Sequence, residues 1–179
     1  MTLAKTISTL SLVAASCGAL AQRTPWKEGQ VVPELVGSDW HNAAKPLTIE
    51  GLKCKVLLVH FWTFGCINCK HNLPAYSKWQ KEFADRGLQV IGVHTPETPE
   101  ERVSANVDRA ITRWSITYPV LTDNESKNWE RWGLRYWPSV FLIDKHGRLR
   151  DVWEGELEYG GASGTAKIEG EIKTLLAER

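Results

Sequence analysis

Four cysteines in 179 residues are too few to staple a disulfide mini-protein. Charge of one sign is not in excess either, with 22 Lys and Arg against 21 Asp and Glu and a net charge of +1. A surface so balanced carries no electrostatic footprint for nucleic acid or an anionic membrane. The chain shows no internal repeat and no low-complexity tract. Its glycine-rich stretch at 155–164 does not follow the GxxxxGK[ST] order of a phosphate loop and reads as a mobile connection. What is present is a 42% hydrophobic composition, enough for one sizeable core and too little for two ordinary domains. Nine tryptophans argue against a disordered chain.

The N-terminus reads as a targeting segment. A short positive start at Lys5 precedes a mostly apolar or small stretch over 6–20, closed by the small-x-small triplet Ala19-Leu20-Ala21. This is the pattern of a secretory signal peptide over 1–21, and the stretch is shorter than the ~20 residues of a membrane-spanning helix. Cleavage after Ala21 leaves 158 of the 179 residues, and loss of Lys5 takes the net charge from +1 to zero. The expected location is the periplasm or another exported compartment, with the mature protein soluble. The alternative is a lipoprotein anchored at Cys17, although the usual large aliphatic is missing three residues earlier. Export matters because disulfides persist outside the cytosol.

Beyond this segment, residues 22–34 are polar with two prolines and read as a flexible leader, and 35–179 as the folded domain. Residues 35–40 and 46–52 flank a polar turn and are expected to pair as a hairpin. The nearly continuous apolar run at 55–62 suits a strand buried on both faces. A helix is expected from about Cys66 to Asp85, with Leu73, Tyr76, Trp79 and Phe83 on one face, a kink at Pro74 and a stop at Gly87. Strands follow at 88–94, 118–121, 139–144 and 149–154, and helices at 99–114, 124–132 and 166–177. Strands alternating with helices indicate an α/β sheet covered on both faces.

The chemistry sits at Cys66-Ile67-Asn68-Cys69, directly after a buried strand and at the opening of a helix. Residues three apart share a helix face, so the two sulfurs can approach bonding distance. The first cysteine lies where unpaired N–H groups and the helix dipole favour thiolate over thiol. Cys69 lies one turn deeper. This asymmetry suits a two-step exchange in which Cys66 attacks a partner disulfide and Cys69 resolves the mixed disulfide. A zinc site normally needs four ligands, and no second CxxC exists. A copper carrier using the same sulfurs, with His71 as a third ligand, stays open as an alternative. A purely structural disulfide would close a tiny loop and stabilise little.

A second element, Tyr136-Trp137-Pro138-Ser139, immediately precedes a strand. X-Pro bonds adopt cis at a cost of only ~0.5–1 kcal/mol. A cis Pro138 facing the cysteines would offer backbone polar groups of Trp137 to an extended peptide. On local sequence alone, an ordinary trans proline at the strand entry is the plainer expectation.

Phe61-Trp62-Thr63-Phe64-Gly65-Cys66-Ile67-Asn68-Cys69, with Pro74 five residues on, resembles the thioredoxin-like TlpA/ResA family of exported thiol–disulfide oxidoreductases. Gly92-Val93-His94-Thr95-Pro96-Glu97, with Arg135-Tyr136-Trp137-Pro138 and Phe141-Leu142-Ile143-Asp144, resembles its DipZ-like branch more narrowly. The likeness covers about residues 35–176. It implies a thioredoxin-like fold, a central mixed β-sheet with helices on both faces, here with an N-terminal β-hairpin extension. It also implies a redox pair at Cys66 and Cys69 and a cis-proline at Pro138. The expected partners are protein thiols or disulfides and a separate electron donor or acceptor, such as a membrane thiol-electron carrier; nucleic acid is not among them. No organic cofactor or metal is required, because the dithiol carries two electrons.

Departures from the pattern point to further residues. Thioredoxin has a buried aspartate six residues before its first cysteine, and this chain has His60 there. Many reductant-type relatives place a glutamate three residues after the second cysteine, and here it is Asn72. His60, with a reference pKa near 6.5, is therefore a candidate proton shuttle, a satisfied core histidine being the plain alternative. Glu97 is another candidate, with surface exposure as its simpler explanation. Trp62 at the rim of the pair and Trp137 beside Pro138 are candidate substrate-binding residues. Thr63-Phe64-Gly65-Cys66 also fits the TxxC fragment of peroxiredoxins, although Val59 stands where that family has proline, so thiol peroxidase is a further alternative. Cys54, between Lys53 and Lys55, is expected to be a buried or inert thiol entering the sheet.

Overall fold

The computed structural model describes residues 26–178. The expected signal peptide, Cys17 and the first part of the leader lie outside them. Among the described residues six strands form one mixed sheet: β1 (Trp40–His41), β2 (Val56–Trp62), β3 (Leu88–His94), β4 (Val120–Thr122), β5 (Ser139–Ile143) and β6 (Leu149–Glu154). Their spatial order is β1-β4-β3-β2-β5-β6. The β2–β3 and β3–β4 pairs are parallel, and β1–β4, β2–β5 and β5–β6 are antiparallel. All seven residues of β2 are buried, which is why its sequence is an almost unbroken apolar run.

Helices α1 (Ile67–Phe83), α2 (Ser104–Arg113), α3 (Lys127–Arg131) and α4 (Gly164–Ala177) complete the fold. One sheet face packs Leu58 and Trp62 against Leu73, Tyr76 and Trp79 of α1, Val107 and Ile111 of α2, and Ile168 and Ile172 of α4. The other packs Val59 and Phe61 against Val32, Leu35, Ile49 and Trp132. Helix α1 runs on across Pro74, which lies on its exposed side, so the hydrogen bond that proline cannot donate is lost toward solvent. A 3-10 turn at Ala84–Arg86 follows, and Gly87 ends it at a φ of 102°, a left-handed conformation natural to glycine.

Four expectations are corrected. The N-terminal hairpin does not form: β1 is two residues long and pairs with β4, and 46–52 ends in a 3-10 turn at Glu50–Leu52. The carboxylate of Glu34 accepts the N–H groups of Ile49 and Glu50 at 2.7 and 2.8 Å, which turns the chain where a strand would have continued. The described part of the leader is anchored, not loose. Trp26 packs edge-on to Phe141 and donates its indole N–H to the carbonyl of Trp132 at 2.8 Å, and Val31 bridges to Arg148. The 155–164 connection is also tied down, through a fully buried Leu157. The expected helix at 99–114 is broken at Val103 into a 3-10 turn, Pro99–Arg102, and α2.

Candidate functional site

Cys66 is the N-cap of α1, and its Sγ accepts the backbone N–H of Cys69 at 3.2 Å. The sulfur thus takes the place that a serine or aspartate oxygen fills at an ordinary helix start. The two cysteines are joined as a disulfide, with Cα atoms 5.3 Å apart. Cys66 is half-buried and Cys69 is 1% exposed, so only the first sulfur meets solvent. The N-cap site and the positive end of a 17-residue helix favour negative charge on Cys66 Sγ once the pair is reduced.

The loop that delivers Cys66 from β2 rests on two buried polar side chains. The carboxylate of Glu101 accepts the N–H of Gly65 at 2.8 Å with one oxygen, and those of Glu97 and Thr98 at 2.6 and 2.9 Å with the other. Burial pushes this carboxyl up, but bonds from the Thr63 side chain and from the three backbone amides outweigh it, so the group lies below its ordinary 4.5. The amide of Phe64 donates to His94 Nε2 at 3.4 Å, and the two rings stack with centroids 5.5 Å apart. Burial pushes the His94 imidazole down to about 4, against a smaller upward pull from Glu101. Neither residue is singled out on sequence grounds, although Thr98 and Glu101 carry the T-x-x-E spacing of a capping box.

Pro138 lies at the same end of the sheet. The β2–β5 register pairs Phe61 with Ser139, which brings Pro138 beside the end of β2 from which the Cys66 loop departs. The Trp137–Pro138 peptide is cis. The carbonyl of Pro138 accepts from Gly155 N–H at 2.7 Å, and the Ser139 hydroxyl donates to the Tyr136 carbonyl at 2.7 Å. Trp137 is half-buried and stacks on Trp129 with ring centroids 3.9 Å apart. Both Cys66 and Trp137 border one core cluster.

The remaining candidates fall elsewhere. Trp62 is 0% exposed, packed against His94 and Trp114, and is not a rim residue: its strand is covered on both faces. His60 is sealed under α1, its ring 4.4 Å from that of Tyr76, with Nε2 sharing a 3.1 Å hydrogen bond with the Tyr118 hydroxyl. Burial pushes its imidazole down to about 3, so it stays neutral through the physiological range. Asn72, 1% exposed, is a clasp: its amide donates to the Tyr76 hydroxyl and the Gly155 carbonyl, both at 3.1 Å, and its oxygen accepts from Leu157 N–H at 2.8 Å. Glu97 is exposed. His71 pairs with the Glu156 carboxylate at 2.9 Å. Cys54 is an exposed free thiol with a φ of 74°, not a buried one, because the chain turns there before entering β2. Among the described residues, no group of three or more His, Cys, Asp or Glu side chains is placed to hold a metal ion. None of the described helices is long and apolar enough to cross a membrane.

The family model described as AhpC/TSA matches residues 29–152. The chain belongs to the AhpC/TSA family. Within that thioredoxin-like group, Protein DipZ of Mycobacterium tuberculosis is 40% identical over 130 residues, 71% of this chain and 19% of DipZ. The thiol-disulfide oxidoreductase YkuV of Bacillus subtilis is 28% identical over 151 residues, 83% of this chain and 96% of YkuV. The chain spans about a fifth of the length of DipZ and of the NHL repeat-containing protein 2 sequences it also matches. Among solved structures, a thioredoxin-like superfamily protein superposes with a TM-score of 0.74 at 28% identity, over 83% of this chain and 97% of that one. A thioredoxin-like protein in its oxidised form gives 0.69, also at 28% identity, over 83% and 95%. AhpC/TSA membership, the thioredoxin-like fold and a joined CxxC pair are those of the thiol–disulfide oxidoreductase type, in keeping with the TlpA/ResA resemblance of the motifs.

Proposed function

We propose that this protein exchanges disulfides with protein substrates in an exported compartment, through Cys66 as nucleophile and Cys69 as resolving thiol. The observation that carries the reading is the difference between the two sulfurs: one half-buried at a helix N-cap, the other sealed one turn below it. In the reduced protein, Cys66 thiolate attacks one sulfur of a substrate disulfide, forming a mixed disulfide and releasing the other substrate sulfur as thiolate. Cys69 then gives up its proton and attacks Cys66 Sγ. The second substrate sulfur leaves, and the Cys66–Cys69 disulfide forms. Two electrons pass to the substrate, and the reverse sequence oxidises it.

In this reading Pro138 and Trp137 shape one wall of the substrate groove, and Glu101 and His94 hold the loop that presents Cys66. His60 is assigned a packing role in place of a proton shuttle. A separate dithiol protein restores the starting redox state, and export rests on the segment 1–21. The test is a Cys69→Ser trap in the exporting cell, where mixed disulfides through Cys66 are expected to accumulate. Their absence, with the variant folded and exported, overturns the reading. The match to the AhpC/TSA family and Thr63, three residues before Cys66, favour thiol peroxidase as the second reading. Consumption of hydrogen peroxide that is abolished by Cys66→Ser would establish it.

A further inference from the structure

Beside the Cys66 loop, on the side formed by α2, lies an open cavity of about 830 Å³. It borders Gly65, the residue before Cys66, and Lys70, one turn into α1. Its aromatic walls are Phe64 and Trp114, and three cations, Lys70, Arg109 and Arg113, line it. Lys70 Nζ sits 5.4 Å from the centre of the Trp114 ring, and the Arg109 guanidinium donates to the Asn106 side chain. Among the described residues none of these three cations has a carboxylate partner, whereas eight other Lys, Arg and His side chains do. The one acid in the lining, Asp108, already accepts from His41 Nδ1 at 2.7 Å.

A concave, aromatic-walled site with unneutralised cations beside a reactive sulfur is complementary to an anionic, partly apolar ligand. Because the ligand must also bring a sulfur to Cys66, it is a polypeptide, and its charge lies in side-chain carboxylates. We propose that this cavity binds an acidic segment flanking the substrate cysteine, with Lys70 and Arg113 as its specificity determinants. The proposal deepens the disulfide-exchange reading by naming the substrate class. It also separates two walls of the site: Trp137 and Pro138 meet the reacting segment, and α2 receives the flank.

The test uses two labelled synthetic peptides with serine in place of the reacting cysteine, one with Asp and Glu on one flank and one with Asn and Gln there. Binding to the disulfide form is followed by fluorescence anisotropy. The acidic peptide is expected to bind about five-fold tighter at low salt, a gap that closes at high ionic strength. Lys70→Gln with Arg113→Gln is expected to remove the preference, and Lys70→Arg with Arg113→Lys to retain it. Equal affinity for the two peptides, or a preference that survives the double glutamine variant, overturns the proposal. A wild-type protein that prefers the acidic peptide but exchanges no disulfide would defeat the redox reading, and with it the substrate assignment, while the acidic-peptide site itself would stand.

Discussion

One oxygen of Glu101 lies 2.8 Å from the backbone nitrogen of Gly65, so a side chain 36 residues downstream fixes the peptide next to Cys66. The other oxygen gathers two more amides from its own turn, and the carboxylate is 2% exposed. Glu101→Gln keeps the shape but removes the charge and one acceptor. Unfolding in urea is expected to show a loss of about 1–3 kcal/mol. Because the folded carboxyl lies below its ordinary value, its contribution is present at neutral pH and fades as the pH falls through and below about 4.5. The glutamine variant should lose less stability than the parent across that acid window.

The two buried imidazoles act in a higher window. His60 at about 3 and His94 at about 4 both lie below the ordinary 6.5, so the unfolded chain takes up protons there that the folded chain refuses. Stability is therefore expected to fall on acidification from about pH 6.5, by up to ~1.4 kcal/mol per pH unit for each ring. Unfolding curves at pH 7 and pH 5 measure the slope, and His60→Asn should make it shallower. The same substitution is expected to leave the pH profile of disulfide exchange between pH 6 and 8 unchanged, since a neutral ring carries no proton across that range. A displaced profile would restore the shuttle.

Asn72 joins α1 to the segment after β6 by two hydrogen bonds, to the Gly155 carbonyl and the Leu157 amide. Asn72→Ala leaves those backbone groups unmatched. Limited proteolysis should then cut within 155–164 faster than in the parent, and stability should drop by about 1–3 kcal/mol.

Gly92 faces His60 across the β2–β3 pair. A Cβ there would stand 3.1 Å from both His60 Nε2 and Trp62 Nε1, so Gly92→Ala is expected to destabilise the protein by about 1–3 kcal/mol through overpacking. Thermal unfolding measures the loss.

Much of this was readable in the chain because the cause was local. β3 and β6 have the residue limits expected of them, and β2 starts one residue later, since burial on both faces writes itself as continuous apolar residues. The CxxC at the head of α1 was likewise visible from strand, turn and helix spacing. The N-terminal hairpin failed because its outcome was decided by Glu34 capping residues 15 positions away. Trp26 looked like part of a loose leader because its acceptor is on Trp132. Glu101 advertises its local role through Thr98, but its bond to Gly65 depends on how the 3-10 turn at Pro99–Arg102 and the Cys66 loop meet in space. The burial of Trp62 is not legible in the sequence, because an apolar residue near a reactive motif looks the same whether it faces the opening or the core.

The exposed thiol of Cys54 and the Cys66–Cys69 pair sit at opposite ends of β2. Seven strand residues, roughly 20–25 Å of backbone, keep them apart. With the pair oxidised, a maleimide dye has one described thiol to attach to, and it reports from a point remote from the chemistry. The protein thus comes with a built-in handle for immobilisation or single-molecule work, and Cys54→Ser gives the matching unlabelled control.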